Sequence, residues 1–158
     1  MRFAPSRLRS GEWAVAISAV VLLVLMFVPA WYDPRVGGVA SRNGFHSLTG
    51  LRWLVLITLA TAFALVFLQA TRRAPAMPVS FSVFVTVLGA LTSLWMIYRV
   101  LISSPVSGSL YEQTAAAYIA LASVLALTYG GYRSMREEDK PDRARNEAIE
   151  TVHLDGTA

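Results

Sequence analysis

The sequence predicts an all-α, polytopic membrane protein: an antiparallel four-helix transmembrane bundle with a charged cytoplasmic tail. Three observations carry that prediction. The 158 residues are 55% hydrophobic and 15% charged, with a mean hydropathy of +0.51, whereas soluble domains have about 45–50% apolar and about 25% charged residues. The charges leave four long gaps: 20 residues over 13–32, 19 over 53–71, 25 over 74–98 and 20 over 113–132. The apolar runs in those gaps are continuous, as in AVAISAVVLLVLMFV and WLVLITLATAFALVFL, and lack the alternation of a barrel strand. A hydrocarbon core about 30 Å thick takes roughly 20 residues of helix. A helix also satisfies its backbone amides within one segment, as lipid demands.

The four spans are placed near 13–31, 53–70, 79–101 and 113–132, making residues 1–132 the transmembrane domain. Pro29 and Pro34 bracket the end of the first. Pro75 and Pro78 separate the second from the third, with Pro78 suited to a first helical turn. Ser103, Ser104, Pro105, Ser107 and Gly108 form a turn-rich link before the fourth. Trp13, Trp31, Tyr32, Trp53, Trp95, Tyr98, Tyr111 and Tyr132 lie near predicted ends, as an interfacial aromatic belt requires. The first connection, about 32–52, is too short and glycine-rich for a folded domain. Its FHSLTGLRWL segment is read as a short surface helix ahead of the second span.

Ten basic residues fall on the side of the termini and of Arg72–Arg73, against four on the other side, Arg35, Arg42, Arg52 and Arg99. The positive-inside rule then places both termini in the cytoplasm, and the protein is expected in a bacterial plasma membrane. A cleaved signal peptide is the competing interpretation of the first span, with Val28-Pro29-Ala30 as a loose cleavage site. The tail, 133–158, carries five basic and seven acidic residues. It is expected to be solvated and partly helical or disordered, with docking through Ile149, Val152 and Leu154 as the sharper alternative.

Candidate chemistry is sparse. Without cysteine, disulfides, thiolate catalysis, iron–sulfur clusters and cysteine zinc sites are excluded. His46 and His153, the two histidines, are expected on opposite sides of the membrane and are read as surface residues. No catalytic, cofactor or metal site is assigned, and the protein is expected not to be an enzyme. Gly37-Gly38 and Gly130-Gly131 lack the flanking pattern of phosphate loops. Arg99 and Glu112 are placed to pair at the outer rim, or to reach interfacial water separately; a gate or ligand counter-ion is the functional form of that pair. Glu12 opens the first helix at its positive dipole end. Small multidrug transporters have this length and helix number but carry a carboxylate deep in the first span, where this chain has none.

Two stripes of small residues stand out: Ser82, Thr86, Gly89 and Ser93 on the third helix, and Ala122, Ala126 and Gly130 on the fourth. Such faces let helices approach closely. They are expected to pack within the bundle, with a homo-oligomer interface or a polar pore wall as alternatives.

RLRSGEW at 7–13, FVPAWY at 27–32 and TRRAPAMPV at 71–79 resemble uncharacterised small four-pass integral membrane proteins of high-GC bacteria, over roughly residues 7–132. The resemblance implies the four-pass fold and no particular activity. The expected role is a structural or accessory subunit of a membrane assembly, with a small oligomeric transporter or channel as the alternative. The expected partners are the lipid bilayer and another membrane protein or a second copy. Nucleic acid is not expected, because the basic residues are split across the bilayer and form no single stripe.

Overall fold

The structure, a computed structural model, describes residues 8–28, 30–35, 40–71, 79–103 and 111–138. The expectations for Gly37-Gly38, Pro75, Pro78, His153 and the tail beyond 138 lie outside these residues. Four helices are long and apolar enough to cross a membrane: α1 (Ser10–Phe27), α3 (Leu51–Thr71), α4 (Val79–Ile97, extended by a π-helical turn at Tyr98–Ile102) and α5 (Ala115–Glu138). A one-turn helix, α2 (Gly44–Ser47), precedes α3, and three short strands, β1 (Ala30–Pro34), β2 (Arg42–Asn43) and β3 (Tyr111–Gln113), lie in the connections.

The long helices form a closed ring. α1 packs against α5 and α3, and α4 packs against the same two. Only 33–39% of each span is buried inside the protein, so most of its apolar surface faces outward. Ile17, Ile57, Phe84, Leu94 and Tyr129 are among the large side chains left exposed. Water would penalise that surface at about 25 cal/mol per Å², whereas lipid tails do not. The chain is thus a multi-pass membrane protein with an all-α bundle.

The bounds differ from expectation at several ends. α1 stops at Phe27 rather than 31, since Pro29 has no amide hydrogen to continue the ladder. The helical carbonyl this deprives is that of Leu25, four residues earlier, and the Trp31 indole Nε1 donates to it at 2.7 Å. Trp31 and Tyr32 are therefore not interfacial anchors: they are 0% and 1% exposed, packed in β1. Trp13, Trp53, Trp95, Tyr98 and Tyr132 do remain exposed near helix ends. α5 begins two residues late, after β3, and continues without a break into the charged segment as far as Glu138. The third span ends in π geometry, with the Ser103 amide bonded to the Tyr98 carbonyl at 2.7 Å.

The connections at this end of the bundle, termed here the loop end, are more ordered than the glycine content suggests. β1 is the central strand of a sheet ordered β2-β1-β3. It pairs antiparallel with β3 through Tyr32 with Gln113, Asp33 with Glu112 and Pro34 with Tyr111. It pairs with β2 through Ala30 with Asn43 and Tyr32 with Arg42. Thr114 fastens the same seam twice, its amide donating to the Trp31 carbonyl at 2.9 Å and its hydroxyl to the Ala30 carbonyl at 2.6 Å. The FHSLTGLRWL segment is one helical turn, a break at 48–50, and then the start of α3. Gly50 makes that break with φ +92°, a conformation L side chains rarely adopt.

Candidate functional site

Three groups of polar residues could carry function: hydroxyls within the bundle, the α1–α5 crossing, and the loop end.

The hydroxyls lie where α4 meets its neighbours. Thr58 on α3 and Thr92 on α4 are 0% exposed, with their oxygens 2.8 Å apart. Each also lies within bonding distance of its own helix carbonyl, Leu54 at 2.8 Å and Leu88 at 2.7 Å. A hydroxyl has one hydrogen, so one threonine donates across the interface and the other donates down its helix. On the other side of α4, Ser93 meets Thr128 at 3.0 Å. Thr128 is 2.9 Å from the Val124 carbonyl, which directs the chain from Ser93 to Thr128 to the backbone. Gly89 permits this approach, because a Cβ there would lie 2.6 Å from the Thr128 hydroxyl.

The α4 stripe of Ser82, Thr86, Gly89 and Ser93 therefore packs inside the bundle: Gly89 and Ser93 meet Thr128, and Thr86 meets Gly131. The α5 stripe does not. Ala122 and Ala126 are exposed, and only Gly130 of the three is buried. Steps of four residues drift about 40° per step around a helix of 3.6 residues per turn. The buried face of α5 instead runs through Ala117, Ala120, Val124, Leu127, Gly131 and Ser134.

At the other end of the bundle, Glu12 is 2% exposed. Its Oε2 accepts the Arg9 amide at 3.0 Å, capping an otherwise unsatisfied first-turn donor. Position on the helix predicts that dipole contact, but its burial follows from packing. Gly11 beside it abuts the α5 backbone at Gly130 and Ser134. The Ser134 hydroxyl is buried and has no hydrogen-bond partner among the described residues.

At the loop end, of the two alternatives for Arg99 and Glu112, pairing is not the one formed. Glu112 faces Arg35, Nε to Oε2 at 3.7 Å, with the two side chains 55% and 69% exposed. The register of β3 on β1 places Glu112 beside Asp33, within reach of the residue two along, whereas Arg99 belongs to the π-helical turn. Arg52 stacks its guanidinium over Phe45 at 5.2 Å and Trp53 at 5.6 Å, a cation–π arrangement suited to an interface.

Asn43 organises this end. Its amide nitrogen donates to the Phe27 carbonyl at 3.2 Å, closing the end of α1. Its oxygen accepts the His46 amide at 3.1 Å and lies 2.7 Å from His46 Nδ1, capping α2. Because the amide orientation is set by Phe27, Nδ1 is the donor. His46 is exposed, as expected, on the wall of a cleft of about 670 Å³ lined also by Phe27, Val28, Ala30, Ser41 and Arg42. The sequence places His46 in the short surface helix read from FHSLTGLRWL and leaves Asn43 in the loop before it; the NGFHS segment, with an N-cap residue at its head, is the signal that joins them. No group of three or more potential metal ligands occurs among the described residues. Against known family models, curated proteins and solved structures, the chain matches none.

Proposed function

We propose that this protein is a structural or accessory subunit of a membrane assembly, not an enzyme, resident in a bacterial plasma membrane with both termini cytoplasmic. The observation that supports it most is the use of the hydroxyls. Thr58, Thr92, Ser93 and Thr128 bond to one another and to helix carbonyls at 2.7–3.0 Å. Hydroxyls so engaged hold helices together and leave little for a solute path. This use of the hydroxyls weighs against a pore lined by the third helix, the transporter alternative.

The orientation rests on the ten-to-four distribution of basic residues across the bilayer. The partner is a membrane protein or a second copy of this chain, within the lipid bilayer. Affinity recovery of the full chain from native membranes, followed by cross-linking, tests the proposal. A reproducible stoichiometric partner is expected. Reconstitution into liposomes provides the opposing outcome: solute flux that follows the protein's concentration would replace the accessory role with transport.

A further inference from the structure

The loop end carries four arginines, Arg35, Arg42, Arg52 and Arg99, in different circumstances. Arg35 faces Glu112 and Arg52 lies over two aromatic rings. Arg42 is exposed and lines the cleft. Its guanidinium carbon stands 5.9 Å over the Tyr111 ring, and among the described residues it makes no ion pair. The cleft's volume, about 670 Å³, falls in the range of small-molecule sites.

Its walls are of two kinds. One is apolar and continues the last turn of α1: Phe27 and Val28, with Ala30 beyond. Val28 is 77% exposed and Phe27 45%, so both are open to acyl chains at the end of a membrane span. The polar part of the lining is Ser41, Arg42, Asn43 and His46. Asn43 holds His46 through Nδ1, which leaves Nε2 as the ring atom able to meet a ligand.

We propose that this cleft binds an anionic, phosphate-bearing amphiphile, with its phosphate on Arg42 beside His46 and its acyl chain along Phe27 and Val28. A guanidinium fork matches phosphate oxygens in a bidentate geometry that no neutral side chain reproduces. An apolar wall next to it selects a ligand with a tail over a free anion. The position fits a membrane lipid headgroup, because the cleft begins where α1 ends.

The test uses the full chain in a zwitterionic detergent, titrated with short-chain phosphatidylglycerol and followed by its thermal unfolding midpoint. A saturable rise in the midpoint is expected. Arg42→Gln should weaken the apparent affinity at least five-fold, while Arg52→Gln, on the same basic end but outside the cleft, should leave it unchanged. Since Arg42 is exposed, its replacement should not prevent folding; native mass spectrometry of the same variants counts bound lipid independently of stability. Inorganic phosphate is the second probe and phosphatidylcholine the third. Equal responses to phosphatidylglycerol and inorganic phosphate would overturn the role of the apolar wall. Equal losses in Arg42→Gln and Arg52→Gln, equal responses to the two lipids, or no saturation would overturn the site.

Discussion

Gly11 on α1 and Gly130 on α5 are in reciprocal contact: a Cβ on Gly11 would lie 2.9 Å from the Gly130 carbonyl oxygen, and one on Gly130 would lie 3.0 Å from that of Gly11. The obstructing atoms are backbone, including the Ser134 amide nitrogen 2.6 Å from a Gly11 Cβ, so they cannot rotate away. Gly11→Ala must push the helices apart and is expected to destabilise the bundle by about 1–3 kcal/mol, the range for overpacking a tight core. Thermal unfolding in detergent measures this. Ala122→Gly on the exposed face of α5 is the comparison, and its smaller effect should reflect helix propensity alone, about 1 kcal/mol.

The Thr58–Thr92 contact is open to a double-mutant cycle. Valine keeps the shape of threonine and removes the hydroxyl. Thr58→Val and Thr92→Val together should show a coupling of about 0.6 kcal/mol, and no more than about 1.7 kcal/mol, as found for hydrogen bonds between membrane helices. A coupling indistinguishable from zero would mean that each hydroxyl bonds only to its own helix.

Trp31→Phe removes the indole hydrogen bond to the Leu25 carbonyl while keeping an aromatic ring beside Gly44. The carbonyl then loses the donor that stands in for the missing Pro29 amide. A fully buried acceptor left unsatisfied costs about 1–3 kcal/mol; this one is part-buried, so a loss toward the lower end of that range should appear as a lower unfolding midpoint. Trp53→Phe, at a 59% exposed position, should change the midpoint much less.

The proposed orientation has a direct check, since the chain has no cysteine of its own. Glu112→Cys should react with a membrane-impermeant maleimide in intact cells. Arg136→Cys should react only after lysis. The reverse pattern would invert the topology.

The bundle was legible in the sequence because its signals are one-dimensional. Charge-free gaps of 19–25 residues locate spans whatever surrounds them. The α4 stripe was legible for the same reason, as Ser82, Thr86, Gly89 and Ser93 keep to one face. What stayed hidden depends on residues far apart in the chain. Thr114 reaching Ala30 spans 84 positions, and nothing near either residue announces the other. Trp31 and Tyr32 read as interface anchors because they follow a span, and only the pairing of β1 with its neighbours shows them buried. The partner of Glu112 is hidden in the same way, since the register of β3 on β1, not nearness along the chain, brings Arg35 to it.

The closing of the ring by α1 and α5 has a consequence in time. Of the four long helices, α1 is made well before α5, its most extensive neighbour, and β1 cannot complete its sheet until β3 follows. Until α5 is made, Gly11 lacks the Gly130 and Ser134 backbone that it abuts, so this interface closes late. A chain halted before Ala115 would hold three of the four spans and leave the faces of α1 and α4 that meet α5 without their neighbour.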